Sequence, residues 1–248
     1  MKTKKVETAV VIGAGSGMGR AVAKKLSLDG IQVFLADLNL DSAEETLREI
    51  KEIDDRVEAF MVDVSQSASV VALFEAMKER VDRLDMVVNT AAIMGDVAFI
   101  EDVDDSAWRK MIAVNLDGTF YCCREAVRWM KEHQTGRIIL FSSIASQTPT
   151  PGSLPYSAAK AGVNMLAKTL AKEVAKHNIR VNVIAPGYIK TPMLNSLPDG
   201  FMDYVYKKTP LKRLGDVEEI AALVSFLASS EADYFTGQNF CPNGGFVI

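Results

Sequence analysis

Short apolar runs rich in branched residues recur along this chain, and segments with helical patterning separate most of them. The runs are Thr8–Ile12, Ile31–Ala36, Val57–Val62, Met86–Asn89, Arg137–Phe141, Ile179–Ile184 and Gln238–Cys241. Runs of this length read as strands buried on both faces, as in a parallel sheet. Helices are predicted over Gly17–Leu28, Asp41–Ile53, Ser67–Arg80, Trp108–Lys131, Leu154–Lys176 and Val217–Ala228. Asp41 is the expected cap of the second helix. Strict alternation implies a three-layer α/β fold, a parallel sheet with helices on both faces and right-handed crossovers. The 248 residues fit one domain spanning 1–248. The longest stretch without clear periodicity is Gly187–Gly215, which holds Pro192, Pro198 and Pro210. A long structureless segment inside a compact domain usually works as a binding loop, so the substrate is expected there.

Composition removes several function classes. The chain has 28 basic and 32 acidic residues, a net charge of −4, and the charges are dispersed, which argues against a nucleic-acid partner. No apolar run approaches the ~20 residues that span a bilayer. The basic start, Met1-Lys2-Thr3-Lys4-Lys5, is not followed by a signal-peptide core, so a cytoplasmic location and no membrane partner are expected. Cys122, Cys123 and Cys241 lack a CxxC spacing, and the only histidines are His133 and His177. Buried thiols and no metal are expected, and a Ser-His-Asp hydrolase is disfavoured.

Two stretches carry chemistry. The first is Gly13-Ala14-Gly15-Ser16-Gly17-Met18-Gly19, between the first strand and the first helix. Glycines there let backbone approach a pyrophosphate, and the helix start offers free N–H groups and a positive dipole end. Asp37 ends the second strand, where a carboxylate accepts from adenosine ribose hydroxyls and repels a 2′-phosphate; Ser16 and Leu38 bring no cation to offset it. NAD is therefore the expected cofactor. Asp63 and Val64 end the third strand in the same layer and are candidates for the adenine, although Asp is also a good helix cap.

The second stretch is Pro155-Tyr156-Ser157-Ala158-Ala159-Lys160. On a helix, Tyr156 and Lys160 share a face. An ammonium beside a phenol favours the phenolate, which turns a group with a pKa near ~10 into a base usable near neutral pH. Ser143 follows an apolar run and adds a hydroxyl. Together with the glycine loop, these residues point to proton removal from an alcohol beside a bound dinucleotide.

These residues and their order resemble the short-chain dehydrogenases/reductases over essentially the whole chain. Gly13-x-x-x-Gly17-x-Gly19 resembles the family's glycine motif, Asn89-Thr90-Ala91-Ala92 its Asn-Asn-Ala-Gly segment, and Asn115 its helix asparagine. Ser143, Tyr156 and Lys160 match the catalytic set, and Pro186–Thr191 resembles the segment cradling the nicotinamide. The resemblance implies a seven-stranded Rossmann sheet. It implies that Ser143 bonds the alcohol oxygen and that Tyr156 moves the proton. Lys160 would lower the phenol pKa and bond the nicotinamide ribose, while Asn115 would hold a water leading from Lys160 to solvent. Ile189 and Thr191 would meet the carboxamide. Ile12 and Thr90 depart from the family pattern. Thr90 is expected to supply a hydrogen bond between strand ends that Ile12 cannot. Asn243 stands where Asp is common.

Pocket candidates are Met94, Ala145, Gln147, Pro151, Leu154, Tyr188, Met193, Leu194 and Phe201, with Lys190 the one nearby cation. Their character favours a moderately apolar secondary alcohol or ketone. An acyl-carrier-protein or acyl-CoA ketoreductase, a hydroxysteroid dehydrogenase and a non-catalytic NAD-sensing protein remain alternatives. The Tyr156-x-x-x-Lys160 spacing argues against the family's enoyl reductases. The long apolar helices Trp108–Lys131 and Leu154–Lys176 imply a homotetramer, with a dimer as the alternative.

Overall fold

The computed structural model describes residues 5–196 and 200–248. The basic Met1–Lys4 start and Pro198 lie outside the described residues. Strands β1 (Thr8–Ile12), β2 (Gln32–Asp37), β3 (Glu58–Met61), β4 (Met86–Asn89), β5 (Gly136–Phe141), β6 (Ile179–Ile184) and β7 (Asn239–Phe240) pair in parallel in the order β3-β2-β1-β4-β5-β6-β7. Helices α1 (Gly17–Leu28), α2 (Leu40–Lys51), α3 (Ser67–Lys78), α4 (Asp105–Ile112), α5 (Gly118–His133), α6 (Leu154–Val174), α7 (Phe201–Lys208) and α8 (Val217–Ala228) connect them. The strand order reverses between β1 and β4, which opens a crevice above the carboxyl ends of those strands.

Alternation along each strand feeds two apolar layers. Val10 and Ile12 of β1 join Phe34 and Ala36 of β2 against α3, α5 and α6, where Phe74, Ala126, Trp129 and Val163 are buried. Val11 of β1 joins Val33 and Leu35 against α1 and α8, through Val22, Leu26, Ile220 and Val224. Every residue of β1 after Thr8 is therefore consumed by one core or the other. At the amino end of the sheet, the buried Asp85 carboxylate accepts from the Glu7 and Thr8 N–H groups at 2.8 and 3.1 Å and pairs with Arg83. This clamp fixes β1 against β4, and sequence patterning carries no sign of it.

Four expectations change. Asn39, not Asp41, caps α2, its side chain accepting from Ser42 N; Asp41 sits within the first turn. The single helix expected over Trp108–Lys131 is α4, a π-helical turn at Ala113–Asp117, and α5. The course stays helical, but the hydrogen bonds widen where the buried Asn115 turns its side chain to Ile93. α6 ends at Val174 and a 3-10 turn finishes the segment, closed by left-handed Asn178. The stretch Gly187–Gly215 is not structureless: it holds a 3-10 turn at Pro192–Ser196 and the helix α7. α7 was hidden by its eight-residue length, yet Val205 gives it a fully buried anchor. Among the described residues, no helix is long and apolar enough to cross a membrane.

Candidate active site

The crevice between β1 and β4 is a groove of about 410 Å³ lined in part by Gly13, Ser16, Gly17, Met18, Gly19 and Asp37. β1 ends as Gly13 adopts φ +85° and its N–H donates to the Ala36 carbonyl at 2.8 Å. A Cβ on Gly13 would stand 2.6 Å from Thr90 Oγ1, and one on Gly19 would stand 2.0 Å from the Gly13 carbonyl oxygen. Loop and helix can approach this closely only without side chains. Ser16 caps α1 by position, but its hydroxyl bonds no first-turn amide. The helix start therefore presents unbonded N–H groups to the groove, the donor set an anionic pyrophosphate requires. A dinucleotide fits these residues.

Asp37 is oriented by the backbone: Gly15 N and Asn39 N donate to its two oxygens at 2.8 and 3.0 Å. Arg20, the cation closest in sequence to the loop, is held by the Gly15 carbonyl at 2.6 Å and by Glu45 and Glu49 at 2.7 and 3.1 Å. It offers nothing to a phosphate beside Asp37. Asp63 and Val64 line the groove. Asp63 caps a turn rather than α3, accepting from Ser65 N and Oγ at 2.9 and 2.7 Å. Asn89 is 3 % exposed and does not line the groove. It lies behind the wall, accepting from Ala91 N at 3.2 Å and donating to Thr119 at 3.3 Å. Thr90 performs the expected bridging: its hydroxyl donates to the Ile12 and Gly13 carbonyls at 2.8 and 3.2 Å.

A second cleft, of about 180 Å³, lies across the carboxyl end of β5 and β6 and includes Ser143, Tyr156, Tyr188 and Ile189 in its lining. The two cavities share Met18, Thr191 and Met193. Ile189 lies in the cleft and not in the groove lining. Its neighbours bond Gly215, Lys190 N to the Gly215 carbonyl at 2.9 Å and Gly215 N to the Tyr188 carbonyl at 3.0 Å. That parallel bridge leaves Ile189's own peptide groups unused.

Tyr156 sits in the first turn of α6, started by Pro155 at a position where a missing N–H costs nothing. Its ring lines the cleft together with Ser143. Burial pushes the phenol pKa up, and the nearby Ser143 side chain opposes that. Lys160, one turn on, is 2 % exposed and donates to the Phe141 carbonyl at 2.9 Å, its nitrogen 5.6 Å from the centre of the Tyr156 ring. Burial lowers the Lys160 pKa from 10.5 to about 8. The amine lies over the ring face, fastened to a main-chain oxygen, and desolvation dominates both groups.

The Asn115 side chain is held by its surroundings: its Oδ1 accepts from Ile93 N at 2.9 Å, and its Nδ2 donates to the Ile93 carbonyl at 2.9 Å and to Met111 Sδ at 2.8 Å. These bonds brace the Thr90–Ile93 wall. Gln147 and Leu154 are not in the cleft lining. Gln147 donates to Cys241 Sγ at 3.0 Å, and Leu154, two positions before Tyr156, faces the other side of the helix. Lys190 pairs with Asp216 at 2.7 Å. The remaining pocket candidates do line the cleft, joined by Val97, Thr150 and Ser153, which loop residues give no periodic signal to find. Lys110 and Val114 were likewise missed in the groove; only their place just before Asn115 hints at them. No charged side chain is among the described residues of the cleft lining.

Residues 13–247 match a family model described as Enoyl-(Acyl carrier protein) reductase. The chain is 34 % identical to a 3-oxoacyl-[acyl-carrier-protein] reductase of Thermotoga maritima, over 96 % of this chain and 97 % of that protein. It is 36 % identical to a 2-dehydro-3-deoxy-L-rhamnonate dehydrogenase (NAD(+)) of a Sphingomonas species, covering 96 % of this chain and 94 % of the other. A crystal structure of Levodione Reductase superposes with a TM-score of 0.94 at 31 % identity, covering 98 % of both chains. The chain belongs to the short-chain dehydrogenases/reductases. It is an oxidoreductase of that family, whose members typically use a nicotinamide cofactor.

Proposed function

We propose that this enzyme interconverts a neutral, largely apolar secondary alcohol and its ketone with NAD(H), using Ser143, Tyr156 and Lys160. One observation carries the reading: the Ser143 and Tyr156 hydroxyls line one cleft without charged lining residues, and that cleft joins the groove at Met18, Thr191 and Met193. A nicotinamide dinucleotide, when bound, supplies the hydride acceptor or donor. Ser143 orients the alcohol oxygen, and Tyr156 takes its proton in oxidation and returns it in reduction. Lys160 is the cation of the site, kept close to the ring by the Phe141 carbonyl. Gly13, Ser16, Gly17, Met18 and Gly19 cradle the pyrophosphate, with Asp63 and Val64 beside the adenine and Ile189 and Thr191 beside the carboxamide. Asp37 supports NAD over NADP, because its carboxylate is fixed at the groove edge and Arg20 is spent on Glu45 and Glu49. The name of the Sphingomonas relative includes NAD(+), in the same sense.

A second reading, reduction of a 3-oxoacyl thioester, is favoured by the name of the Thermotoga relative. It also gains from Val97 at the cleft and from Phe99 and Ile100, which are 60 % and 69 % exposed just beyond it. The four-residue spacing of Tyr156 and Lys160 supports ketone over enoyl chemistry. The exposed Trp108, Phe120 and Met165 on α4, α5 and α6 support assembly as a homotetramer, and three unpaired cysteines suit a reducing cytoplasm. A screen of steroid, cyclic and hydroxyacyl alcohols, followed by absorbance with NAD and with NADP, tests the reading. Turnover of an uncharged alcohol with NAD preferred is expected; a clear NADP preference or demand for a charged substrate refutes it.

A further inference from the structure

Four aromatic rings close a cycle behind the substrate cleft. Tyr188, in the loop after β6, stands edge-on to Phe201 of α7, with ring centres 5.7 Å apart and an interplanar angle of 62°. Phe201 meets Tyr204 of the same helix at 5.8 Å. Tyr204 meets Phe246 at 6.3 Å and 72°, and Phe246 returns to Tyr188 at 5.2 Å and 68°. Three of these pairs are edge-to-face and the Phe201–Tyr204 pair is tilted at 46°, all at separations where aromatic rings attract. Tyr188 and Phe201 line the cleft, whereas Phe246 does not.

Phe246 is delivered by a turn that Asn243 builds. The Asn243 Oδ1 accepts from Gly245 N at 2.8 Å, its Nδ2 donates to the Val247 carbonyl at 3.0 Å, and its carbonyl accepts from Phe246 N at 3.1 Å. The same turn reaches the segment after α7, where Leu211 N donates to the Gly244 carbonyl at 3.2 Å. α7 is otherwise lightly held: Val205 is its one buried side chain, and Gly200 provides no side-chain cap. The Phe246–Tyr204 contact, with Phe246 also backing the Tyr188 ring that meets Phe201, is thus a large share of what fixes this short helix over the cleft.

We propose that Phe246 is a positioning residue for the substrate site, clamping α7 so that Phe201 and Tyr188 form a fixed wall of the cleft. The substrate half of this proposal rests on the alcohol–ketone reading above; the clamping of α7 does not. Phe246→Ala removes two ring pairs. Amide hydrogen exchange over Phe201–Lys208 is expected to accelerate about tenfold, and KM for the alcohol to rise about tenfold. kcat should stay within about twofold, and NADH affinity by fluorescence titration should be unchanged, because Phe246 touches neither the reacting groups nor the groove. Phe246→Tyr restores the ring and both values. Should Phe246→Ala fail to fold, Phe246→Leu keeps apolar bulk without a ring edge and is expected to show the same pattern more weakly. Unchanged exchange over α7 overturns the clamp. Faster exchange with unchanged KM overturns its link to the substrate. If the wild-type enzyme oxidises none of the screened alcohols, the functional reading fails, and the exchange measurement still decides whether Phe246 holds α7.

Discussion

The dinucleotide groove and the substrate cleft meet at Met18, Thr191 and Met193, yet they are built in different ways. The groove is shaped by main chain. Its loop works because side chains are missing at Gly13 and Gly19, and its donors are the amides that begin α1. The cleft is shaped by side chains drawn from separate stretches around Met94, Ser143, Pro151 and Tyr188. Backbone amides suit a ligand with fixed anionic groups. Replaceable apolar side chains on loops suit a ligand that differs between proteins of one fold. The difference suits the groove to the invariant anionic part of a ligand and the cleft to the reacting, variable part. Tyr156→Phe tests that separation most severely, since it deletes one oxygen on the cleft side. Turnover is expected to fall by at least ~10³-fold, as for loss of a group that acts only in the reaction. NADH affinity, read by fluorescence, should stay within about twofold. A variant that keeps turnover removes Tyr156 from the chemistry, and one that loses NADH binding as well removes the division between the two cavities.

Lys160 lies behind the cleft wall, its amine over the Tyr156 ring, and burial shifts its titration strongly. Unfolded, its amine holds a proton up to about 10.5; folded, only up to about 8. Between those values the unfolded chain binds the extra proton, so wild-type stability rises with pH across that window. Below pH 8 the cost of burying the charge is felt in full. Lys160→Met should therefore be more stable than wild type at pH 7, on the order of 2 kcal/mol after allowance for the Phe141 carbonyl left without its donor. The advantage should shrink as pH rises from 8 toward 10.5, measured by urea unfolding at each pH. The same variant should be nearly inactive. Parallel stability of the two proteins between pH 7 and 10 would mean that the amine keeps its charge when buried.

Legibility followed the same division. The places of Gly13, Gly17, Gly19, Asp37, Ser143, Tyr156 and Lys160 in the fold could be read from the chain because each stands at a fixed point after a strand or in a helix turn. The strand alternation was legible because β1, β4 and β5 are buried on both faces. What could not be read depends on contacts between distant segments. The bond of Asn115 to Ile93 spans 22 positions. Asp85 joins β1 to the start of β4 through the Glu7 and Thr8 amides, a tie that no local pattern announces. α7 was obscured by flanking prolines and by its length, and its ring contacts with Phe246 leave no local periodicity.

The smallest effect expected is at Thr90, and it probes the groove where the strand order reverses. Ile12 has no hydroxyl, so the tie across the two strand ends comes from β4's side: Thr90 N donates to the Ile12 carbonyl at 2.8 Å, and Thr90 Oγ1 donates to the Ile12 and Gly13 carbonyls. Thr90→Val keeps the branched shape and the main-chain bond but removes both hydroxyl bonds. The Ile12 carbonyl retains one partner, whereas the Gly13 carbonyl loses the side-chain donor that holds it beside Gly19. A loss of about 1 kcal/mol is expected from urea unfolding at unchanged m-value. NADH affinity should weaken a few-fold, because the displaced carbonyl belongs to the loop that meets the pyrophosphate, while KM for the alcohol should not change. Equal stability of variant and wild type would show that the main-chain bond alone secures the junction. A change confined to the alcohol KM would show that the groove and the cleft do not divide their labour in this way.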